Sequence, residues 1–278
     1  MSAASEPRVG FIGLGSQGAP MARRLIDAGL PVMLWARRAA SLEPYAGTTA
    51  ARATTRVALG AGSDVLCVCV VNDADVDDVL RGPEGALAGM DSGGVVVVHS
   101  TTHPDTCRRL QADFPRLRFL DAPVSGGGQR AADGSLLVMI GGEEEVFHEV
   151  EPILATYGDP LVHLGPLGSG QEAKLVNNAL FTAQLTLVAD VFELADTRGL
   201  DLAGVAAVLR DGSGRSYAAE VLGASGYRLD SLADLAGPLL RKDVGILSEL
   251  LAPSSPLVVE VAAHGIDAMH PDRDLRDT

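Results

Sequence analysis

Short apolar runs alternate with longer mixed stretches over the first 165 residues. Residues 9–12, 32–35, 65–71, 95–99, 118–121 and 136–140, with a shorter run at 161–164, read as strands. Residues 19–28, 74–80, 104–114 and 143–156 place their apolar positions at helical spacing. The nearly unbroken apolar character of 65–71 and 95–98 fits central parallel strands covered on both faces. Alternation of this kind predicts a doubly wound α/β sheet. After residues 165–170, rich in glycine, the texture changes. Residues 174–198 contain neither glycine nor proline and predict one long helix. Further helices are expected at 202–211, 217–223, 237–251 and 256–268, with a charged, frayed tail over 270–278. The expectation is an α/β domain over residues 1–166 followed by an all-α domain over 167–278.

The first strand runs into Gly13-Leu14-Gly15-Ser16-Gln17-Gly18, and a helix follows at once. Gly13, Gly15 and Gly18 satisfy G-x-G-x-x-G. The first glycine makes the tight turn, the second lets the backbone approach a pyrophosphate, and the third lets helix pack on strand. Free N–H groups at the helix start then face the phosphates. Dinucleotide binding is the expected role, with an ordinary glycine-rich connection as the alternative. The second strand ends Trp35-Ala36-Arg37-Arg38, with no carboxylate to hold a ribose hydroxyl. Two guanidinium groups there suit a 2′-phosphate, which favours NADP while leaving NAD possible. The alternative for Arg37 and Arg38 is a solvated turn.

Three further groupings carry chemistry. Asp121-Ala122-Pro123-Val124-Ser125-Gly126-Gly127-Gly128 follows a predicted strand. A hydroxyl and successive flexible amides there make either a carboxylate-binding nest or a plain turn. Gly168-x-Gly170 precedes Lys174 and, four residues on, Asn178, which share one helix face. A lysine near a helix N-terminus among apolar neighbours is expected to have a depressed pKa, suited to proton exchange; the alternative is a solvated side chain. Arg241-Lys242-Asp243 interrupts an apolar helical stretch, either as functional charge or as an exposed face.

Composition narrows the classes. A chain of 278 residues that is 47% hydrophobic can bury the cores of two domains. No unbroken apolar run reaches the roughly 18 residues of a membrane span. Residues 1–7 lack the layout of a signal peptide, and the cytoplasm is the expected compartment. Three cysteines build no disulfide framework, and Cys67 and Cys69 read as small core side chains on one strand face. A net charge of −14 argues against nucleic acid or an anionic membrane as partner. It leaves an anionic cofactor open, because binding depends on the local field.

The four groupings, in this order, resemble the β-hydroxyacid dehydrogenase family, typified by 3-hydroxyisobutyrate dehydrogenase, from about Arg8 to Asp243. The resemblance implies a Rossmann-like N-terminal domain, a helical C-terminal domain and an active site in the cleft between them. It implies Lys174 as general acid/base and Asn178 as an orienter of substrate. Ser125, Gly126 and Gly127 would hold a substrate carboxylate, with Thr101, after Ser100, near the nicotinamide. Gly13, Leu14, Gly15, Ser16, Gln17, Gly18, Arg37, Arg38, Asn72, Thr101 and Lys242 would contact the cofactor; no metal is implied. The expected activity is NADP-preferring interconversion of a small β-hydroxy acid and its semialdehyde or keto acid. Imine reduction and a non-catalytic NADP-binding scaffold are the alternatives. The chain departs from the family at Val98, where an Asp is frequent, and at Ala36, where NADP-preferring members carry Asn. Arg215 either recognises a second polar group of the substrate or is a surface residue. The long apolar helix predicts a homodimer or homotetramer.

Overall fold

A computed structural model describes residues 6–234 and 236–269; the expected frayed tail at 270–278 lies outside the described residues. Two compact units meet at the 174/175 bond.

The first unit is built on six parallel strands: β1 (Val9–Ile12), β2 (Val32–Trp35), β3 (Ala51–Arg52), β4 (Val65–Val68), β5 (Val95–Val98) and β6 (Arg118–Asp121). Their order in the sheet is β3-β2-β1-β4-β5-β6. The chain therefore reverses its direction of winding between β1 and β4, and the crevice beyond their carboxyl ends is where such sheets bind ligands. Side chains alternate across the strands, and both faces are dry. Val65, Cys67, Val95 and Val97 point to one layer, with Met21, Leu25, Val150 and Leu154. Leu66, Val68, Val96 and Val98 point to the other, with Leu59, Val76, Leu80, Cys107 and Leu110.

Several of the helices begin at a capping side chain. Helix α1 (Gly18–Asp27) buries Met21, Ala22, Leu25 and Ile26 on one face and pairs Arg23 with Asp27 on the other. Helix α2 (Arg56–Ala61) is capped by the Thr55 hydroxyl, which accepts from the Ala58 N–H. Helix α3 (Asp73–Leu80) is capped by the Asn72 side-chain oxygen and carries Asp73 and Asp75 in its first turn, where the dipole favours acids. A single turn, α4 (Ala86–Gly89), precedes β5, and α5 (Pro104–Asp113) starts on Pro104. A three-stranded sheet follows: β7 (Val124–Ser125), then α6 (Gly127–Ala132), then β8 (Leu136–Ile140), α7 (Glu144–Leu154) and β9 (Gly158–His163). In it β7 pairs antiparallel and β9 parallel with β8.

Helix α8 (Ser169–Thr197) starts in the first unit and runs on through the second. It contains an 18-residue window of mean hydropathy 1.3, long and apolar enough by composition to cross a membrane, although the sequence has no unbroken run of that length. Half of that window is buried inside the protein. The second unit adds α9 (Leu202–Asp211), α10 (Tyr217–Ala224), α11 (Gly237–Leu251) and α12 (Leu257–Met269). Leu185, Phe192, Leu222, Leu240 and Ile266 form its main core, each fully buried large apolar side chain stabilising by about 1.5–3 kcal/mol. Gly265 lets α12 approach α8, because a Cβ there would lie 1.8 Å from the Thr186 hydroxyl.

Three sequence expectations need correcting. The strand expected at 65–71 ends at Val68, that at 95–99 ends at Val98, and that at 161–164 is the end of the longer β9. Cys69 therefore lies past the end of its strand, half-buried, while Cys67 and Cys107 are buried; all three are free thiols.

Candidate active site

The loops after β1 and β4 enclose a cleft of about 180 Å³ in the first unit. Its walls are Gly13, Leu14 and Gly15 on one side and Cys69, Val70 and Val71 on the other, with Arg37, Arg38 and Ser41 beyond the tip of β2. The three glycines have different reasons to lack a side chain. Gly13 has φ +99°, and a Cβ there would lie 2.0 Å from the Cys69 carbonyl oxygen. A Cβ on Gly18 would lie 1.9 Å from the Gly13 carbonyl oxygen. Gly15 would meet nothing within 4 Å. Gly13 and Gly18 thus close the turn, and Gly15 leaves open space along the backbone. No side chain caps α1 at Gln17, so Ser16, Gln17 and Gly18 lead into a helix start whose N–H groups suit an anion.

Two features at the far end of the cleft bear on a nucleotide. Arg37 and Arg38 are both exposed. Trp35 forms part of the wall, with the Arg56 guanidinium 5.6 Å from its ring centre. Asn72 does not line this cleft; its side-chain oxygen accepts from the Asp75 N–H at 2.9 Å. Ser41, Asp75 and Asp78 do line it, and sequence reasoning missed them.

The glycine-rich turn after β6 has two consecutive positive φ values, 134° at Gly126 and 72° at Gly127. Neighbouring N–H groups in such a turn can converge on an anion. Ser125 ends β7, and a Cβ on Gly128 would lie 2.6 Å from the Ser16 carbonyl oxygen. This turn is therefore seated against the cofactor-signature loop.

The start of α8 is held by a buried carboxylate. Asp121, fully buried at the end of β6, accepts from the Gly168 N–H at 2.6 Å and the Gln171 N–H at 2.7 Å. Burial pushes its carboxyl above the ordinary range, and these N–H groups pull it back. The Gln171 side chain donates to the Ser100 carbonyl at 2.8 Å and accepts from the Thr102 N–H at 3.0 Å. Half-buried Thr101 lies between those two residues, and half-buried Lys174 lies one turn beyond Gln171. Sequence reasoning found Lys174 and Thr101 but assigned no role to Asp121 or Gln171.

In the second unit the Asn178 side-chain amide donates to Asp243 Oδ2 at 2.6 Å, and the Asn177 side-chain amide donates to Asn178 Oδ1 at 3.1 Å. Asp243 Oδ1 lies 2.8 Å from Lys242 Nζ, close enough for charge pairing but poorly aligned as a hydrogen bond. Asp243 is thus a buried acceptor that orients Asn178. Arg215 is exposed and lies 3.5 Å from Glu220, which fits its reading as a surface residue. Among the described residues, no group of His, Cys, Asp and Glu is arranged to hold a metal ion.

Residues 8–165 match the family described as the NAD binding domain of 6-phosphogluconate dehydrogenase. Residues 168–265 match that described as NAD-binding of NADP-dependent 3-hydroxyisobutyrate dehydrogenase. The chain belongs to the β-hydroxyacid dehydrogenase family. It is 32% identical over 248 residues to 2-(hydroxymethyl)glutarate dehydrogenase of Eubacterium barkeri, covering 87% of this chain and 81% of that one. The solved structure of Mycobacterium tuberculosis 3-hydroxyisobutyrate dehydrogenase with L-serine is similar, with a TM-score of 0.81 and 26% identity. The two share 94% of this chain and 92% of that one. Psf3 in complex with NADP+ and 2-OPP gives a TM-score of 0.83 at 28% identity, covering 93% of each chain. This β-hydroxyacid dehydrogenase is an NAD(P)-dependent oxidoreductase, and the open backbone at Gly15 and the uncapped α1 fit that cofactor.

Proposed function

We propose that this dehydrogenase prefers NADP and interconverts a small β-hydroxy acid with the corresponding semialdehyde or keto acid, Lys174 acting as general acid/base. The observation that carries the reading is the anchored start of α8, which holds Lys174 one turn beyond a buried residue bonded to the Thr101 turn. When bound, the nicotinamide supplies or accepts the hydride at C4. In oxidation neutral Lys174 takes the proton of the substrate hydroxyl; in reduction its ammonium returns one. Ser125, Gly126 and Gly127 hold the substrate carboxylate, fixing the reacting carbon at a set distance from its anchor. Asn178, oriented by Asp243, positions the substrate, and Lys242 stands by cofactor and substrate. Gly13 through Gly18 receive the pyrophosphate, and Thr101 borders the nicotinamide. Arg37 and Arg38, joined by the Ser41 hydroxyl, receive the 2′-phosphate. Asn72 acts on the cofactor indirectly, by capping α3 next to the cleft wall.

The same reading takes residues 1–166 as the dinucleotide-binding domain and 167–278 as the substrate and assembly domain, in a cytoplasmic enzyme. Exposed Val176, Leu180, Leu187 and Leu194 on α8 support assembly as a homodimer or homotetramer. The test is a panel of 3-hydroxyisobutyrate, L-serine, 2-(hydroxymethyl)glutarate, tartronate semialdehyde and succinic semialdehyde, each with NADP(H) and NAD(H). Turnover of at least one member, faster with NADP(H), is expected. No turnover of any member would overturn the assignment of substrate class.

A further inference from the structure

Gln171 carries no charge and belongs to no expected catalytic set, yet it is fully buried with three of its polar groups engaged. Its backbone N–H goes to Asp121, its side-chain N–H to the Ser100 carbonyl, and its side-chain oxygen to the Thr102 N–H. Ser100 extends the chain, because its hydroxyl accepts from the Val70 N–H at 2.8 Å and Val70 lines the cofactor cleft. A run of bonds therefore connects the helix turn bearing Lys174, the turn bearing Thr101 and the cleft wall. Few side chains can replace Gln171, since the site needs one donor and one acceptor side by side.

We propose that Gln171 is a positioning residue: its amide holds the Thr101 turn in register with the first turns of α8, and so with Lys174. The proposal rests on the reading that Lys174 moves the substrate proton. Gln171→Ala leaves the Ser100 carbonyl and the Thr102 N–H without partners, and the two turns drift apart. Displacement of a catalytic group by about 1 Å costs up to about 100-fold in rate. Gln171→Glu gives a sharper test. A protonated carboxyl matches the amide in shape, donating through its O–H to Ser100 and accepting from Thr102. Once ionised, it sets a carboxylate against the Ser100 carbonyl. The titratable groups around this turn include Asp121 from β6, Glu172 and Lys174 on α8, Asp73 at the start of α3, which accepts from the His103 N–H, His103 itself, the buried Cys107 thiol, and Arg108 from α5, which pairs with Glu172 at 2.9 Å.

The experiment measures kcat, KM and NADPH affinity across pH for wild type, Gln171→Ala and Gln171→Glu. It also measures amide hydrogen exchange at Thr102 in the cofactor-free proteins, with Lys174→Ala as control. Gln171→Ala is expected to lower kcat about 10- to 100-fold, leave KM and NADPH affinity within about threefold, and speed exchange at Thr102. Gln171→Glu is expected to regain most of the lost kcat at the acidic end and lose it as the new carboxyl ionises. Wild-type kcat in Gln171→Ala would overturn the proposal, as would identical pH profiles for the two variants or unchanged exchange at Thr102. Should Gln171→Ala fail to fold, the pH profile of Gln171→Glu decides alone. Turnover surviving Lys174→Ala would refute the role of Lys174 instead, and exchange at Thr102 would still decide whether the clamp exists.

Discussion

Substituting alanine at Gly13 and at Gly15, two residues apart, should have opposite consequences. At Gly13 the new Cβ would sit 2.0 Å from the Cys69 carbonyl oxygen and 2.5 Å from its carbon, with φ at +99°. Both contacts are backbone, so the loops after β1 and β4 must separate by about 1 Å before the methyl fits. Overpacking of this kind costs about 1–3 kcal/mol, and a left-handed φ on a residue with a Cβ adds about 1–2 kcal/mol. The sum, about 2–5 kcal/mol, lowers Tm by about 3–9 °C for a protein of this size. At Gly15 nothing lies within 4 Å and φ is ordinary, so Gly15→Ala should leave Tm within about 2 °C. Its methyl would instead project from the backbone that receives the pyrophosphate. Loss of one charge-assisted contact there, about 1.5–3 kcal/mol, weakens NADPH about 10- to 150-fold. Thermal melts of the free protein and calorimetric NADPH titrations separate the two effects. Gly15→Ala binding NADPH as tightly as wild type would refute the placement of the pyrophosphate on this turn.

Three other perturbations follow from the same geometry. Replacing both Arg37 and Arg38 by Ala should weaken NADPH at least about tenfold and leave NADH within about threefold, read by Trp35 fluorescence; equal losses would return the pair to a solvated turn. Burial lowers the pKa of His99 to about 4, its Nδ1–H bonded to the Ala122 carbonyl and its Nε2 accepting from Tyr157. The unfolded chain binds this proton near pH 6.5, so the stability from neutral His99 is complete above pH 6.5 and falls between pH 6.5 and 4 by about 3 kcal/mol. Urea midpoints against pH should therefore be steeper for wild type than for His99→Gln, and parallel curves would contradict the burial argument. Asp243→Ala, which leaves the Asn178 amide unpaired, should raise the substrate KM and cost about 1–3 kcal/mol of stability in urea melts; unchanged values would mean the 2.6 Å bond is not made in solution.

Much of the fold was legible because the central strands are continuous apolar runs and the glycine turn sits between a strand and a helix. The overextension of β4 has a physical cause. Cys69, Val70 and Val71 are apolar like the strand before them, but they form a cleft wall rather than a ladder, and period alone does not separate the two roles. Helix α8 begins at Ser169 rather than Lys174 because Gly170 is no breaker here. A Cβ at Gly170 would lie 2.4 Å from the Met139 carbonyl oxygen, so glycine serves close approach. Helices α2 and α4 are too short for a helical period to register. The capping role of Asn72 was readable in principle, since an Asn before two Asp residues marks a helix start. Charged and glycine-rich site residues stood out by type. Asp121 and Gln171 did not, because their roles lie in hydrogen bonds to partners 47 to 71 residues away.

If Lys174 moves the substrate proton, its loss shows in single-turnover kinetics of Lys174→Ala with NADPH bound and semialdehyde added. Wild-type NADPH affinity, a melting temperature within about 3 °C of wild type, and reduction slowed at least about 100-fold are expected. Added small primary amines should restore part of the rate. Reduction at the wild-type rate in that variant would assign the proton transfer to a group other than Lys174.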